Sequence, residues 1–161
     1  MTDTTAKDAV AEIQAIVTAA NDALTYLSST VQNETDTNTL SETDQLAAYA
    51  AAGVTGVTAD NLLAVNAQLR LETTTDNKDS VGELQSLVTA ANSALAYVVS
   101  DIAPLTTTDS MDATTQLAAY EKAGVQSVTE ANLLAVNAQV RSAQADAKDS
   151  VSDLQTLVTA A

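Results

Sequence analysis

The chain of 161 residues has no histidine, cysteine, tryptophan or phenylalanine, and its 21 acidic and 6 basic residues give a formal charge of -15. Those absences remove the usual nucleophile–base pairs, zinc sites and disulfide frameworks. The charge repels phosphate backbones and anionic membranes and favours a soluble monomer, so no nucleic acid is expected as a partner and no membrane insertion.

No stretch approaches the roughly 18 apolar residues of a membrane span. The opening MTDTTAKDAV lacks the basic and apolar segments of a signal peptide. Residues 8 to 31 set Val10, Ile13, Val17, Ala20, Leu24, Leu27 and Val31 three and four apart, which predicts a long amphipathic helix. Val81, Leu84, Val88, Ala91, Leu95, Val98 and Ile102 repeat the seam, and the closing KDSVSDLQTLVTAA repeats its first half. Asp8, Asp79 and Asp149 stand where each copy starts and are the expected caps, while Pro104 marks where the second copy must have stopped.

The polar connectors QNETDTNTL and APLTTTDSM read as exposed loops. A short helix is expected over 42–52 and again over 113–123, opened by Ser41 with Asp44 and by Asp112, and closed by Gly53 and Gly124. It turns Leu46, Tyr49 and Ala50 inward, matched by Leu117, Tyr120 and Glu121, so the third position lies at the edge of the buried face. Another helix is expected after Thr58 and Thr129 as N-caps, with Val57 and Val128 closing onto Leu62 and Leu133 as a hydrophobic staple. Leu62, Val65 and Leu69, with Leu133, Val136 and Val140, make its apolar face. Asp60 and Glu130 at its start and Arg70 and Arg141 at its end suit the helix dipole.

These elements form a repeat, because QLAAYAAAGVTGVTADNLLAVNAQL at 45–69 returns as QLAAYEKAGVQSVTEANLLAVNAQV at 116–140, 71 positions on. A unit of about 70 residues is marginal alone, so neighbours are expected to stabilise one another. The expected fold is all-α, with tandem three-helix bundles joined by shared long helices into an elongated array. The first half of each long helix completes the bundle before it and the second half packs on the bundle after it, which requires 79–102 to run unbroken through 90–93. The expected division is 1–38 as the long helix and linker of a preceding repeat, 39–103 as the first repeat, and 104–161 as the second with its last helix truncated. The whole reads as a piece of something longer.

No catalytic, cofactor-binding or metal-binding residue stands out. The acidic runs at Glu34, Asp36, Glu42 and Asp44, and at Asp101, Asp109 and Asp112, lack the spacing and central glycine of a calcium loop and read as caps and solvated loops. Thr18, Thr25 and Thr30 keep no regular helical period, which sets ice binding aside. The candidate partner-facing residues are Thr55, Asp60 and Asn66, with Gln126, Glu130 and Asn137. For the asparagines a second reading stands beside contact with a partner: half-buried residues hydrogen-bonded to a neighbouring loop such as the one after Gly53.

Leu46, Tyr49, Gly53, Val54, Leu62, Leu63, Asn66, Ala67, Leu84, Leu87 and Val88, with their counterparts in the second copy, make a pattern that resembles the GA module. That family is the three-helix bundle of bacterial surface proteins known for binding serum albumin. The pattern is closer still to the GA-like repeats of very large Gram-negative surface proteins and adhesins. The resemblance implies three-helix repeats, an extracellular or bacterial cell-surface location and a structural role. Albumin binding is not carried over, because Ala59, Asp60 and Asn61, and Ala131 and Asn132 after Glu130, stand where the family has aromatic residues, and extra residues separate Val54 from Val57. The expected function is a non-enzymatic structural or extender segment of a large adhesin, with no cofactor and with neighbouring repeats as partners. The alternative is a module binding an extracellular host or environmental protein through the exposed middle helix. Matching cores with divergent surfaces favour the spacer: Thr55 and Gly56 become Gln126 and Ser127, and Leu71 and Glu72 become Ser142 and Ala143.

Overall fold

The computed structural model describes residues 4–108 and 110–161, so the first three residues and Asp109 of the acidic runs lie outside the description. Among the described residues all regular structure is helical: α1 (Thr4–Ser29), α2 (Glu42–Ala51), α3 (Leu62–Leu71), α4 (Val81–Tyr97), α5 (Ala113–Lys122), α6 (Leu133–Ser142) and α7 (Val151–Thr159). Tight 3-10 turns lie at Val31–Asn33, Thr75–Asn77 and Ala145–Ala147.

Capping chemistry sets most boundaries. Ser41 accepts the Asp44 N–H at 3.2 Å and Asp112 accepts the Thr115 N–H at 2.8 Å, opening α2 and α5 as the sequence predicts. At α4 and α7 the caps are Ser80 and Ser150 instead of Asp79 and Asp149. A capping box needs an acid three residues after the cap, and only counting from the serines reaches Glu83 and Asp153. Ser80 accepts the Glu83 N–H at 3.3 Å while Glu83 accepts the Ser80 N–H at 3.1 Å, and the Ser80 hydroxyl holds the Glu83 carboxyl below its ordinary range. Asp8 falls within α1 and starts nothing.

Helices α3 and α6 begin at Leu62 and Leu133, later than Thr58 and Thr129 would start them. The side chains of Asn61 and Asn132 accept the Thr58 and Thr129 N–H groups at 2.8 and 2.7 Å, which closes a turn ahead of each helix. Asp60 and Glu130 sit in that turn. At the end of α2, Gly53 N–H donates to Ala50 O and Val54 N–H to Tyr49 O, and Gly124 and Val125 repeat both bonds after α5. This pairing needs a left-handed residue, and Gly53 and Gly124 have φ of 81° and 76°.

Helix α4 is unbroken through residues 90–93 and continues as a π turn over Val98–Ile102. There the Ala103 N–H reaches back to Val98 O at 2.8 Å, and Pro104, which has no N–H to give, follows immediately. Helix α4 lies against both α3 and α5, and its π turn touches α5 and α6. Leu84, Val88 and Ala91 in its first half and Val98 and Ile102 at its end are buried. The two copies of the repeat also meet directly, α3 touching α5 and α7. Gln68 donates to Lys122 O at 2.7 Å, Gln126 to Thr35 O at 2.8 Å, and the Val151 N–H to Asp60 O at 3.0 Å.

The exposed surface is 8793 Å² for 16.5 kDa. A compact domain of that mass exposes about 7,600 Å². Part of the excess is the first half of α1, where Val10, Ile13, Ile16 and Val17 are uncovered.

The two turn glycines differ in one respect that stability measurements can read. A Cβ on Gly124 would lie 2.6 Å from Leu63 O and 2.9 Å from Ala64 Cα, whereas one on Gly53 would meet nothing within 4 Å. Gly53→Ala should cost about 1 kcal/mol, from left-handed strain alone. Gly124→Ala should cost a further ~1–3 kcal/mol of overpacking. Urea unfolding followed by circular dichroism checks the order, and equal losses would contradict the close approach.

Candidate functional site

The middle of each repeat is a buried polar network. Asn66 on α3 is fully buried; its Oδ1 accepts the Tyr49 hydroxyl at 2.8 Å, and its Nδ2 donates to Gln45 Oε1 at 2.7 Å and Glu34 O at 3.4 Å. Gln45 in turn donates to Leu40 O at 2.7 Å and Asp36 O at 3.0 Å. The second copy matches this bond for bond. Asn137 accepts from Tyr120 at 2.8 Å and donates to Gln116 at 2.9 Å and Leu105 O at 3.3 Å, and Gln116 donates to Met111 O at 2.7 Å. The asparagines therefore tie the middle helix to the short helix and to the preceding connector, not to the loop after Gly53. Both side chains are fully buried.

Thr55 and Gln126 hold the turn to the long helix. The Thr55 N–H and hydroxyl both donate to Gln85 Oε1, at 3.1 and 3.0 Å, and Gln85 donates back to Thr55 O at 2.9 Å. Gln126 and Gln155 exchange the same backbone bonds at 2.9 and 3.1 Å. Asp60 offers its carbonyl to Val151, and Glu130 lies exposed. Of the six candidate residues, Glu130 alone has no such internal duty among the bonds described.

Two pairs escaped the sequence reading, the glutamines Gln45 and Gln116 and the lysines Lys78 and Lys148. Lys78 is buried, and its Nζ donates to Gln32 Oε1 at 2.8 Å, Glu72 O at 2.8 Å and Leu69 O at 3.4 Å; Lys148 donates to Val140 O at 3.1 Å. The lysines thus meet the carbonyl ends of α3 and α6, while Arg70 donates to Gln32 O at 3.1 Å and Arg141 to Ala103 O at 3.0 Å, carbonyls that follow the long helices α1 and α4. The available signal was identity between copies at polar positions, Gln45 with Gln116 and Lys78 with Lys148. Among the described residues every buried side-chain nitrogen and oxygen has a partner.

What remains open is shallow. A groove of about 830 Å³ between α4 and α5 is lined by Ala90, Ala94, Tyr97, Ala118 and Lys122. Its small side chains bring no converging charges, the feature by which a small-molecule site fixes its ligand. Among the described residues no three acidic side chains gather to hold a metal ion, and no helix is long and apolar enough to cross a membrane. No family model, curated protein or solved structure matches the chain.

Burial raises the pKa of the Tyr49 and Tyr120 hydroxyls above the ordinary value, because the phenolate would have to be desolvated. The folded chain thus keeps both protons at a pH where the unfolded chain, titrating near pH 10, has released them. Their contribution is complete below about pH 10 and is lost as pH rises towards the folded value, by at most about 1.4 kcal/mol per pH unit for each tyrosine. Urea unfolding between neutral and alkaline pH should show that fall. The double variant Tyr49→Phe/Tyr120→Phe, less stable at neutral pH, should show a flatter one, and identical slopes in the two proteins would contradict the assignment.

Proposed function

We propose that the chain is a non-enzymatic spacer, a run of GA-like three-helix repeats within a large bacterial cell-surface or secreted adhesin. The observation that carries this reading is where the repeated polar residues are spent. Asn66, Tyr49 and Gln45 and their counterparts Asn137, Tyr120 and Gln116 are identical between copies and serve the interior. Around them several exposed positions differ from copy to copy, Ala51 against Lys122, Thr55 against Gln126, Asp60 against Ala131 and Leu71 against Ser142. A binding array would repeat its exposed contacts, whereas a spacer need only repeat its core.

In this reading the end of α1 with α2, α3 and the first half of α4 forms one bundle, and the end of α4 with α5, α6 and α7 forms the next. The α4 segment from 81 to 102 is then a strut of about 33 Å at 1.5 Å per residue. Bending the junction would break helical hydrogen bonds or pull Leu84 and Val88, or Val98 and Ile102, out of the core. The acidic surface keeps neighbouring stalks apart.

Small-angle scattering in dilute buffer, with and without calcium, tests the spacer. A single compact body of this length has a radius of gyration near 15 Å. Two bundles that meet through α3, α5 and α7 along a shared α4 should give a value clearly above that of one body, unchanged by calcium. A value near 15 Å would overturn the reading.

A further inference from the structure

Where the two copies of the repeat meet, α4 and the turns on either side of it leave an open hollow of about 400 Å³. One side is the turn before α3, with Thr58 and Asp60; another is the face of α4 that carries Leu95 and Val99; the third is the start of α7, with Lys148 and Asp149. The Val151 N–H donates to Asp60 O at 3.0 Å and holds the turn of one copy against the start of α7 in the other. Asn61 donates to Asn92 Oδ1 at 2.8 Å and ties the same turn to α4. Both copies that build the hollow are in place, and a following copy leaves this position open: Asp79, the counterpart of Asp149, is exposed with the second copy beside it.

Two carboxylates from different copies line the hollow. Asp60 is exposed, and among the bonds described only its carbonyl is engaged. The Asp149 carboxyl is raised above its ordinary range, first by a hydrogen bond shared with Asp153, then by partial desolvation and by the charges of Asp153 and, more weakly, Asp60. Negative charge is therefore crowded here. Lys148, the one cation on the lining, already donates to Val140 O at 3.1 Å. Beside the carboxylates, Leu95 and Val99 offer half-buried apolar surface. That surface decides the class of ligand, because a hydrated metal ion gains nothing from it, whereas an ammonium on a short hydrocarbon stem uses both. Among the described residues no three acidic side chains gather to hold a metal ion.

We propose that this hollow binds a small organic cation, its ammonium bridging Asp60 of one copy and Asp149 of the next and its hydrocarbon stem lying on Leu95 and Val99. Because the two carboxylates belong to different copies, the ligand favours the closed junction over an open one and so stiffens it. Ala131 takes the place of Asp60 in the second copy, which confines the pair of carboxylates to this junction. The site would add control to a spacer but does not depend on that reading, and its failure would leave the spacer standing.

NMR titration of the whole isotope-labelled chain with n-butylammonium chloride, at constant ionic strength, tests this. The Val151 backbone amide and the Asn92 side-chain amide should shift saturably, with half-saturation in the millimolar range. At roughly ten times that concentration, deuterium exchange of the Val151 amide should slow roughly tenfold, because the ligand holds closed the junction from which it exchanges. Asp60→Asn and Asp149→Asn leave the Asp60 carbonyl and the Ser150 cap in place, so each should keep the circular dichroism unchanged and raise the half-saturation concentration roughly tenfold. Ammonium chloride, which lacks the stem, should not saturate the shifts in that range. Shifts that grow linearly without saturating, shifts that survive both substitutions, or magnesium chloride saturating the same amides at lower concentration would each overturn the proposal.

Discussion

One amide in the middle of a helix holds each repeat together. Asn66 joins the hydroxyl of Tyr49, the side chain of Gln45 and the connector carbonyl of Glu34, and Gln45 passes the connection on to two more loop carbonyls. Buried polar groups are costly when unpaired and geometrically demanding when paired, so the network dictates one register of the short helix against the middle one. The apolar residues around it, Leu62, Val65, Leu69 and Leu84, supply most of the burial. They are interchangeable enough in shape that they alone would tolerate neighbouring registers. A small core of alanine, valine and leucine gains uniqueness from its polar centre.

The helices were legible because their seams keep a regular period and their ends carry strong local signals. Ser41, Asp112 and the glycines at 53 and 124 act within a few residues of chain, and each does what its local chemistry requires. Misplaced starts arose where two local signals competed. Asp79 is a good cap, but Ser80 has Glu83 at the right distance, and the reciprocal pair wins. Thr58 likewise yields to Asn61, whose side chain closes the preceding turn.

The candidate site was less legible because repetition looks alike whether it serves a ligand or a core. Asn66 and Asn137 sit one residue after buried valines, and nothing in the sequence says on which side of the helix a neighbouring element will fall. Their partners lie 17, 21 and 32 positions away, beyond the reach of periodicity. The lysines at 78 and 148 were hidden for a related reason. They satisfy carbonyls of the helix before them, and a lone lysine in a polar connector carries no mark of burial.

The single helix α4 also sets how damage would spread. Its two halves are buried against different neighbours, Leu84 and Val88 near α3 and Val98 and Ile102 near α5 and α6. Unfolding either neighbour strips one half of its burial, leaving that half with the weak stability of an isolated helix in water. Its fraying would next loosen the π turn and the network it frames, so loss would travel along the chain as a front.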